Sequence, residues 1–196
     1  MSPDPSEQLL AFLLRHSALA REDALAFASA WQVQRQLKRG EYLCPPGKVE
    51  QHVWFVAKGL FRIYYSTEQE EVCAGFAYED TMISSFPSFV RQAPSVFSIQ
   101  ALEKCTVLGI TRGDLHAAIE RWPAVSRLWT GMLELVVAGL IEREIEISTT
   151  TPEQRYHNLM ARAPYLFQRV PLKHIASYLR IKPETLSRVR AAALSR

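Results

Sequence analysis

The stretch PLKHIASYLRIKPETLSRVR, residues 171–190, sets a short apolar frame at fixed spacing inside a strongly basic segment. Two short helices that cross steeply need a small residue where they touch and apolar residues on the faces they turn to each other. Ala176 supplies the small contact. Leu172, Ile175 and Leu179 supply the inner face of a first helix, Ile181 plugs the turn, and Leu186 and Val189 line the second helix. Lys182-Pro183-Glu184-Thr185 reads as a helix start, with Pro where its missing N–H costs nothing and Glu facing the positive end of the dipole. The frame predicts a helix-turn-helix, and through it contact with DNA, with Glu184, Thr185, Ser187, Arg188 and Arg190 outward on the second helix. One position departs from the pattern. The turn asks for Gly four residues after the small contact because φ there is positive, and Arg180 stands at that place at a strain of roughly 1 kcal/mol. The same frame suits two packed helices of any all-helical domain, so charge is the next discriminator.

From Thr151 to the end there are nine Lys or Arg against two acidic residues, whereas residues 1–150 hold fourteen against eighteen. The overall +3 therefore hides a basic module joined to a mildly acidic body. That division is the electrostatic footprint of a phosphate-backbone binder, although a solvated basic face gives the same sum.

With 196 residues and 48% apolar composition the chain can bury a full-sized core, and the reading divides it into more than one domain. No run reads as membrane-spanning and the N-terminus lacks a signal-peptide pattern, so a cytoplasmic protein that avoids membranes is expected. Cys44, Cys73 and Cys105 are odd in number and far apart, which fits packing residues in a reducing compartment. The five histidines show no ligand spacing, and no metal site is expected. Nothing pairs a nucleophile with a base or forms a phosphate-binding Gly-rich loop, so catalysis is not expected.

Residues 6–31 repeat Leu and Ala at helical period. From Val33 to about Thr111 short β-rich runs alternate with the breakers Arg39-Gly40, Pro45-Pro46-Gly47, Lys58-Gly59 and Gln92-Ala93-Pro94, a pattern that predicts a barrel or roll. Helical period then returns. Val125, Leu128, Trp129, Met132, Leu133, Leu135, Val136, Val137, Leu140, Ile141 and Ile145 spread over an apolar surface too wide for one neighbour. A partner helix in a homodimer covers such a surface, with Leu128, Trp129, Met132, Val136 and Leu140 as the expected seam; burial inside one monomer is the alternative. Thr149-Thr150-Thr151 before Pro152-Glu153 reads as a linker ending in a helix cap.

A β-roll, a long helix and a helix-turn-helix in that order resemble the Crp/Fnr family of bacterial transcription regulators. Gly40, Gly47 and Gly59 carry the resemblance in the roll, with Gly40-Glu41-Tyr42-Leu43 and Val53-Trp54-Phe55-Val56-Ala57-Lys58-Gly59-Leu60-Phe61-Arg62 around them. Thr151-Pro152-Glu153-Gln154-Arg155-Tyr156, Leu172-Lys173-His174-Ile175-Ala176-Ser177-Tyr178-Leu179 and Pro183-Glu184-Thr185-Leu186-Ser187-Arg188 carry it in the C-terminal part. The expected fold is α+β: a jelly-roll-like double-stranded β-helix sensor domain over 1–118, a dimerisation helix over 119–148 and a helix-turn-helix domain over 149–196.

The resemblance implies base reading by Glu184, Ser187 and Arg188 in the major groove, since Arg can donate twice to guanine and Glu accepts from cytosine. It implies phosphate contacts from Lys173, His174, Thr185 and Arg190. It further implies palindromic, TTGA-like half-sites spaced roughly 34 Å apart in double-stranded DNA, and contact with RNA polymerase. Read as helix surface alone, Glu184 and Arg188 are four apart and can simply pair.

The resemblance breaks at the effector pocket. Members that bind cyclic AMP hold the ribose with a Gly-Glu pair and the phosphate with an Arg followed by Ser or Thr. Here those regions read Ile83-Ser84-Ser85-Phe86-Pro87 and Pro94-Ser95-Val96-Phe97. Without the guanidinium a buried phosphate loses its bidentate partner, so cyclic AMP is not expected to bind. Ser84, Ser85, Arg91 and Ser95 remain as candidates for another anion. The first cysteine is Cys44, so the N-terminal cysteine group of the iron–sulfur branch is missing and no such cluster, nor any other cofactor, is expected. A ligand-binding or protein-docking module that has lost specific DNA binding is the alternative function, motivated by Arg180 and by the short tail after Arg190, where many members carry a β-wing.

Overall fold

The structure, a computed structural model, describes residues 4–194. Two helices lead in, α1 (Pro5–His16) and α2 (Arg21–Ser29). Asp4 caps α1 by accepting from the Ser6 amide, with Pro5 in the first turn. Leu9, Leu13, Ala24 and Phe27 point inward and are buried, as their spacing requires.

Eight strands follow: β1 (Val33–Leu37), β2 (Tyr42–Cys44), β3 (His52–Lys58), β4 (Phe61–Ser66), β5 (Glu71–Ala77), β6 (Thr81–Ile83), β7 (Phe97–Ala101) and β8 (Cys105–Thr111), with α3 (Phe86–Arg91) between β6 and β7. They form two four-stranded sheets in the orders β1-β8-β3-β6 and β2-β7-β4-β5. The architecture is thus a jelly-roll-like open roll, and the closed barrel left open by strand spacing alone does not form, because each sheet keeps two edges. β3 carries continuous burial from Val53 to Ala57, since it lies between β8 and β6 and supplies both cores. One core joins Phe55, Ile110 and Leu108 to the lead-in helices, and the other gathers Trp54, Val56, Phe61, Ile99 and Val107 inside the roll.

Helical structure resumes with α4 (Arg112–Arg121), capped by the Thr111 hydroxyl at 3.1 Å from the Asp114 amide. Trp122 ends it and donates from Nε1 to Asp23 at 2.9 Å. The long helix α5 (Pro123–Thr149) therefore starts at Pro123, later than the expected 119, and continues one residue past the expected 148. Then come α6 (Pro152–Arg162), the single turn α7 (Leu166–Arg169), which the sequence reading did not foresee, α8 (Leu172–Tyr178) and α9 (Pro183–Leu194). Thr151 and Gln154 form a reciprocal capping box, the expected cap of α6.

The chain divides into two compact units: the residues up to Tyr64 with Phe76–Leu133, and Tyr65–Gly75 with the residues from Glu134 on. In the first unit Val125 is buried and Leu128 and Trp129 pack against the core of the lead-in helices. Met132 joins them in lining a small apolar pocket with Phe27 and Trp31. Three of the five expected seam residues thus have neighbours inside their own unit. In the second unit Leu135, Val136, Val137, Leu140, Ile141 and Ile145 stand exposed. The expectation that no run reaches membrane-spanning length needs correction: α5 is long and apolar enough to cross a membrane by length and composition, because Arg127 and Glu134 are the only charges between 124 and 141.

Candidate nucleic-acid interface

The helix-turn-helix assembles around the predicted contact. Ile175 and Ala176 are completely buried, Leu179, Leu186 and Val189 nearly so, and Leu172 and Ile181 are half-buried. The α9 helix packs on α8 and α6. Pro183 opens α9, and the Leu186 amide donates to the Lys182 carbonyl at 3.0 Å to close its first turn. At the turn Arg180 has φ 55°, the left-handed conformation that the pattern demanded of a glycine. The Ile181 amide reaches back to the Ala176 carbonyl at 3.0 Å and the Arg180 amide to Ser177 at 3.1 Å. These bonds satisfy carbonyls at the end of α8 and hold the crossing.

This framework leaves Glu184, Ser187 and Arg188 exposed at positions i, i+3 and i+4 of α9, on one face. Arg190 is exposed as well, and Thr185 is half-buried. On α8, Lys173 is exposed and His174 half-buried; both line a cleft of about 610 Å³ with Glu70, Glu71, Ser177, Arg180, Ile181, Lys182 and Pro183. The base-reading candidates thus share a helix face, and two of the four phosphate candidates share a cleft.

Sequence reasoning missed the contacts that three side chains of this unit make. The Ser177 hydroxyl accepts from the Cys73 amide at 2.9 Å and donates to the Glu71 carbonyl at 3.1 Å. Arg143 donates to the Tyr178 carbonyl at 2.9 Å and to the Cys73 carbonyl at 3.4 Å, with its guanidinium stacked 4.7 Å from the Tyr178 ring. Arg180 donates from Nη2 to the Tyr65 hydroxyl at 3.1 Å. The only signal in the sequence was the non-glycine at the turn. From α5, Glu146 also accepts from Asn158 at 2.9 Å and pairs with Arg162 at 3.0 Å, which fixes α6 to the end of the long helix.

The four effector candidates do not converge. Ser84, Ser85 and Ser95 are all buried, whereas Arg91 is exposed at the end of α3. Ser85 and Ser95 share a hydrogen bond at 2.6 Å, Ser95 also donates to the Phe97 carbonyl at 2.8 Å, and Ser84 donates to the His52 carbonyl at 3.0 Å. Their hydroxyls knit loops of the roll together. Beside them Glu50, 5% exposed, accepts through Oε1 from the amides of Gln51 and His52, both at 3.0 Å, and from Trp54 Nε1 at 3.3 Å. Burial, reinforced by the Glu50 charge, pushes the Cys44 thiol up to about 12. Burial likewise raises Cys105 to about 11, and all three cysteines are buried and unpaired with one another.

Residues 34–121 match the family described as cyclic nucleotide-binding domain. No curated protein sequence matches the chain at a significant level. Among solved structures, the Catabolite Activator Protein of Thermus thermophilus is 20% identical over 91% of this chain and 85% of its own, with a TM-score of 0.56. FixK2 from Bradyrhizobium japonicum is 18% identical over 83% of this chain and 84% of its own, at 0.67. A CooA variant from Carboxydothermus hydrogenoformans is 17% identical over 82% and 75%, at 0.66. A cyclic-nucleotide-binding-like roll followed by C-terminal helices is therefore the class of this chain. Its architecture is that of the Crp/Fnr regulators, a likeness of fold at these identities.

Proposed function

We propose that the chain is a homodimeric, non-catalytic, sequence-specific DNA-binding transcription regulator of the Crp/Fnr type. The observation that carries this reading is the exposed triad Glu184, Ser187 and Arg188 on one face of α9, held by a buried frame within the basic part of the chain. Arg188 offers two donors to guanine O6 and N7, Glu184 accepts from cytosine N4, and Ser187 serves either neighbour. Lys173, His174, Thr185 and Arg190 fix the register on phosphates without reading sequence. The target is a palindrome of TTGA-like half-sites, and RNA polymerase is the partner through which bound protein acts on transcription.

The exposed apolar face of α5 supports self-association. Removing six aliphatic side chains from water contributes roughly 1.5–3 kcal/mol for each that is fully covered. A partner helix suits this face better than lipid, since Glu134 falls near the middle of the apolar stretch, where a carboxylate is costly in hydrocarbon. A soluble, cytoplasmic dimer follows from this reading.

The effector pocket is degenerate in the same reading. Three of its four polar candidates are engaged in structural hydrogen bonds, which supports a roll that works without cyclic AMP. Selection of binding sites from a random DNA pool, with and without cyclic AMP, tests both parts. An enriched palindrome that ignores the nucleotide is expected. Enrichment only with nucleotide overturns the pocket reading, and no enrichment in either arm favours a docking module that has lost DNA.

A further inference from the structure

The β5 strand is the edge of its sheet, so every second residue presents an N–H and a C=O with no strand to pair them. At Cys73 and Glu71 those groups are taken by side chains of the DNA-reading unit. Ser177 accepts from the Cys73 amide and donates to the Glu71 carbonyl, and Arg143 covers the Cys73 carbonyl. The hairpin tip is itself ordered, with the Thr67 amide bonded to the Glu70 carbonyl at 2.9 Å and the Thr67 hydroxyl accepting from the Glu70 amide at 3.1 Å. This docking places Glu70 and Glu71 along the same cleft as Lys173, His174, Arg180 and Lys182. Lys173 and His174 are residues that the DNA reading assigns to phosphates. A phosphate approaching them meets two carboxylates in a partly enclosed cleft, where like charges repel more than in open water.

We propose that the β4–β5 hairpin is an autoinhibitory arm that occupies the phosphate-contact side of α8, so that DNA binds tightly only when the Ser177 and Arg143 bonds to β5 open. The proposal rests on the DNA-binding reading above. It assigns Ser177 a role distinct from recognition: it is a latch that satisfies an exposed strand edge, and its release moves the Glu70 and Glu71 carboxylates away from Lys173 and His174. Glu70 and Glu71 act as competing anions, so their effect is greatest at low salt and does not alter which sequence is preferred.

Wild type, Ser177→Ala and the double variant Glu70→Gln/Glu71→Gln are compared in two assays: hydrogen exchange at the Cys73 amide without DNA, and salt-titrated binding to the selected palindrome. Ser177→Ala should accelerate exchange at Cys73 by about tenfold or more as the latch opens. Both variants should tighten binding, the double variant by about fivefold to twentyfold at low salt, with unchanged sequence preference. The double variant lies on the exposed hairpin and keeps the test valid if Ser177→Ala disturbs folding. Unchanged exchange in folded Ser177→Ala overturns the latch. Faster exchange with equal or weaker DNA binding, or a double variant that binds no more tightly than wild type, overturns the inhibition. Failure of all three proteins to bind any DNA overturns the DNA reading instead, and the inhibitory role falls with it.

Discussion

Arg180 donates to the Tyr65 hydroxyl at 3.1 Å while its own backbone sits at φ 55°. The two facts oppose each other energetically. The left-handed backbone costs a non-glycine residue about 1–2 kcal/mol, and the exposed hydrogen bond returns about 0.5–1.5 kcal/mol. Arg180→Gly should therefore leave stability within about 1 kcal/mol of wild type, because it loses both the bond and the strain. Arg180→Ala loses only the bond and should be the less stable of the two by about 1 kcal/mol. Denaturant titration of the three proteins checks the order, and an alanine variant as stable as the glycine variant would show that the turn is unstrained.

The roll contains a sharper contrast. At Gly59, φ is +98° and a Cβ would lie 2.5 Å from Cys105 Sγ and 2.8 Å from both the Cys105 Cα and the Lys104 carbonyl oxygen. Two of these are backbone atoms, which cannot step aside. Gly40 has a similar φ of +89° but open space around it. Gly40→Ala should cost only the backbone strain, about 1–2 kcal/mol. Gly59→Ala adds the clash and should cost more than about 3 kcal/mol. Melting temperatures or urea midpoints of the two variants measure the gap.

Why these features were readable and others were not follows from sequence separation. The glycines of the roll and the frame around Ala176 encode local geometry, a turn or a crossing, and residues a few positions apart specify each. The bond between Ser177 and Cys73 joins positions 104 apart, and nothing near either residue announces the other. The serines at 84, 85 and 95 looked like pocket groups because a hydroxyl in a pocket and a hydroxyl that closes a loop have the same local sequence. Their burial distinguishes them. In the long helix the apolar face was visible, but Leu128 and Trp129 fill their own unit while Leu140 does not, a division set by which residues have a neighbour in space.

The two classes of proposed DNA contact separate by their salt response. Arg188→Ala should cost about 1–3 kcal/mol on the selected site and relax preference at a single guanine. Lys173→Ala should weaken all sequences alike and reduce the salt slope by about 1. Binding titrations at several salt concentrations, on matched and mismatched sites, tell them apart. Equal behaviour of the two variants would place the reading register elsewhere on α9.

Cys44 and Cys105 are held neutral at physiological pH, with thiols raised to about 12 and about 11 from 9.0. The thiolate is the reactive form, so a thiol reagent at pH 8 should modify neither until denaturant is added. The sign of the pH effect follows from the same raised values. The unfolded chain ionises first, so the contribution of these two thiols to stability is intact below pH 9 and is lost as pH rises toward 11 and 12. Peptide mapping after labelling and melting curves from pH 8 to 11 check both statements. Rapid labelling of either residue in the folded protein would contradict the burial that causes the shift.

The proposed dimer seam makes the most demanding prediction for the long helix. Leu140 is 58% exposed in the single chain, so Leu140→Glu removes little packing within the monomer and should leave its melting curve close to wild type. In a symmetric dimer the substitution acts twice: two leucines no longer leave water, and two carboxylates approach each other across the seam. The loss is about 1.5–3 kcal/mol per leucine before the charge is counted, enough to shift a micromolar dimer to monomer. Sedimentation velocity should show that shift, and affinity for the full palindrome should fall much further than affinity for an isolated half-site, because only the dimer engages both halves at once. A variant that remains dimeric would move the seam away from Leu140. A wild-type chain that partitions into vesicles, with Leu140→Glu left in solution, would instead assign the apolar face of α5 to lipid.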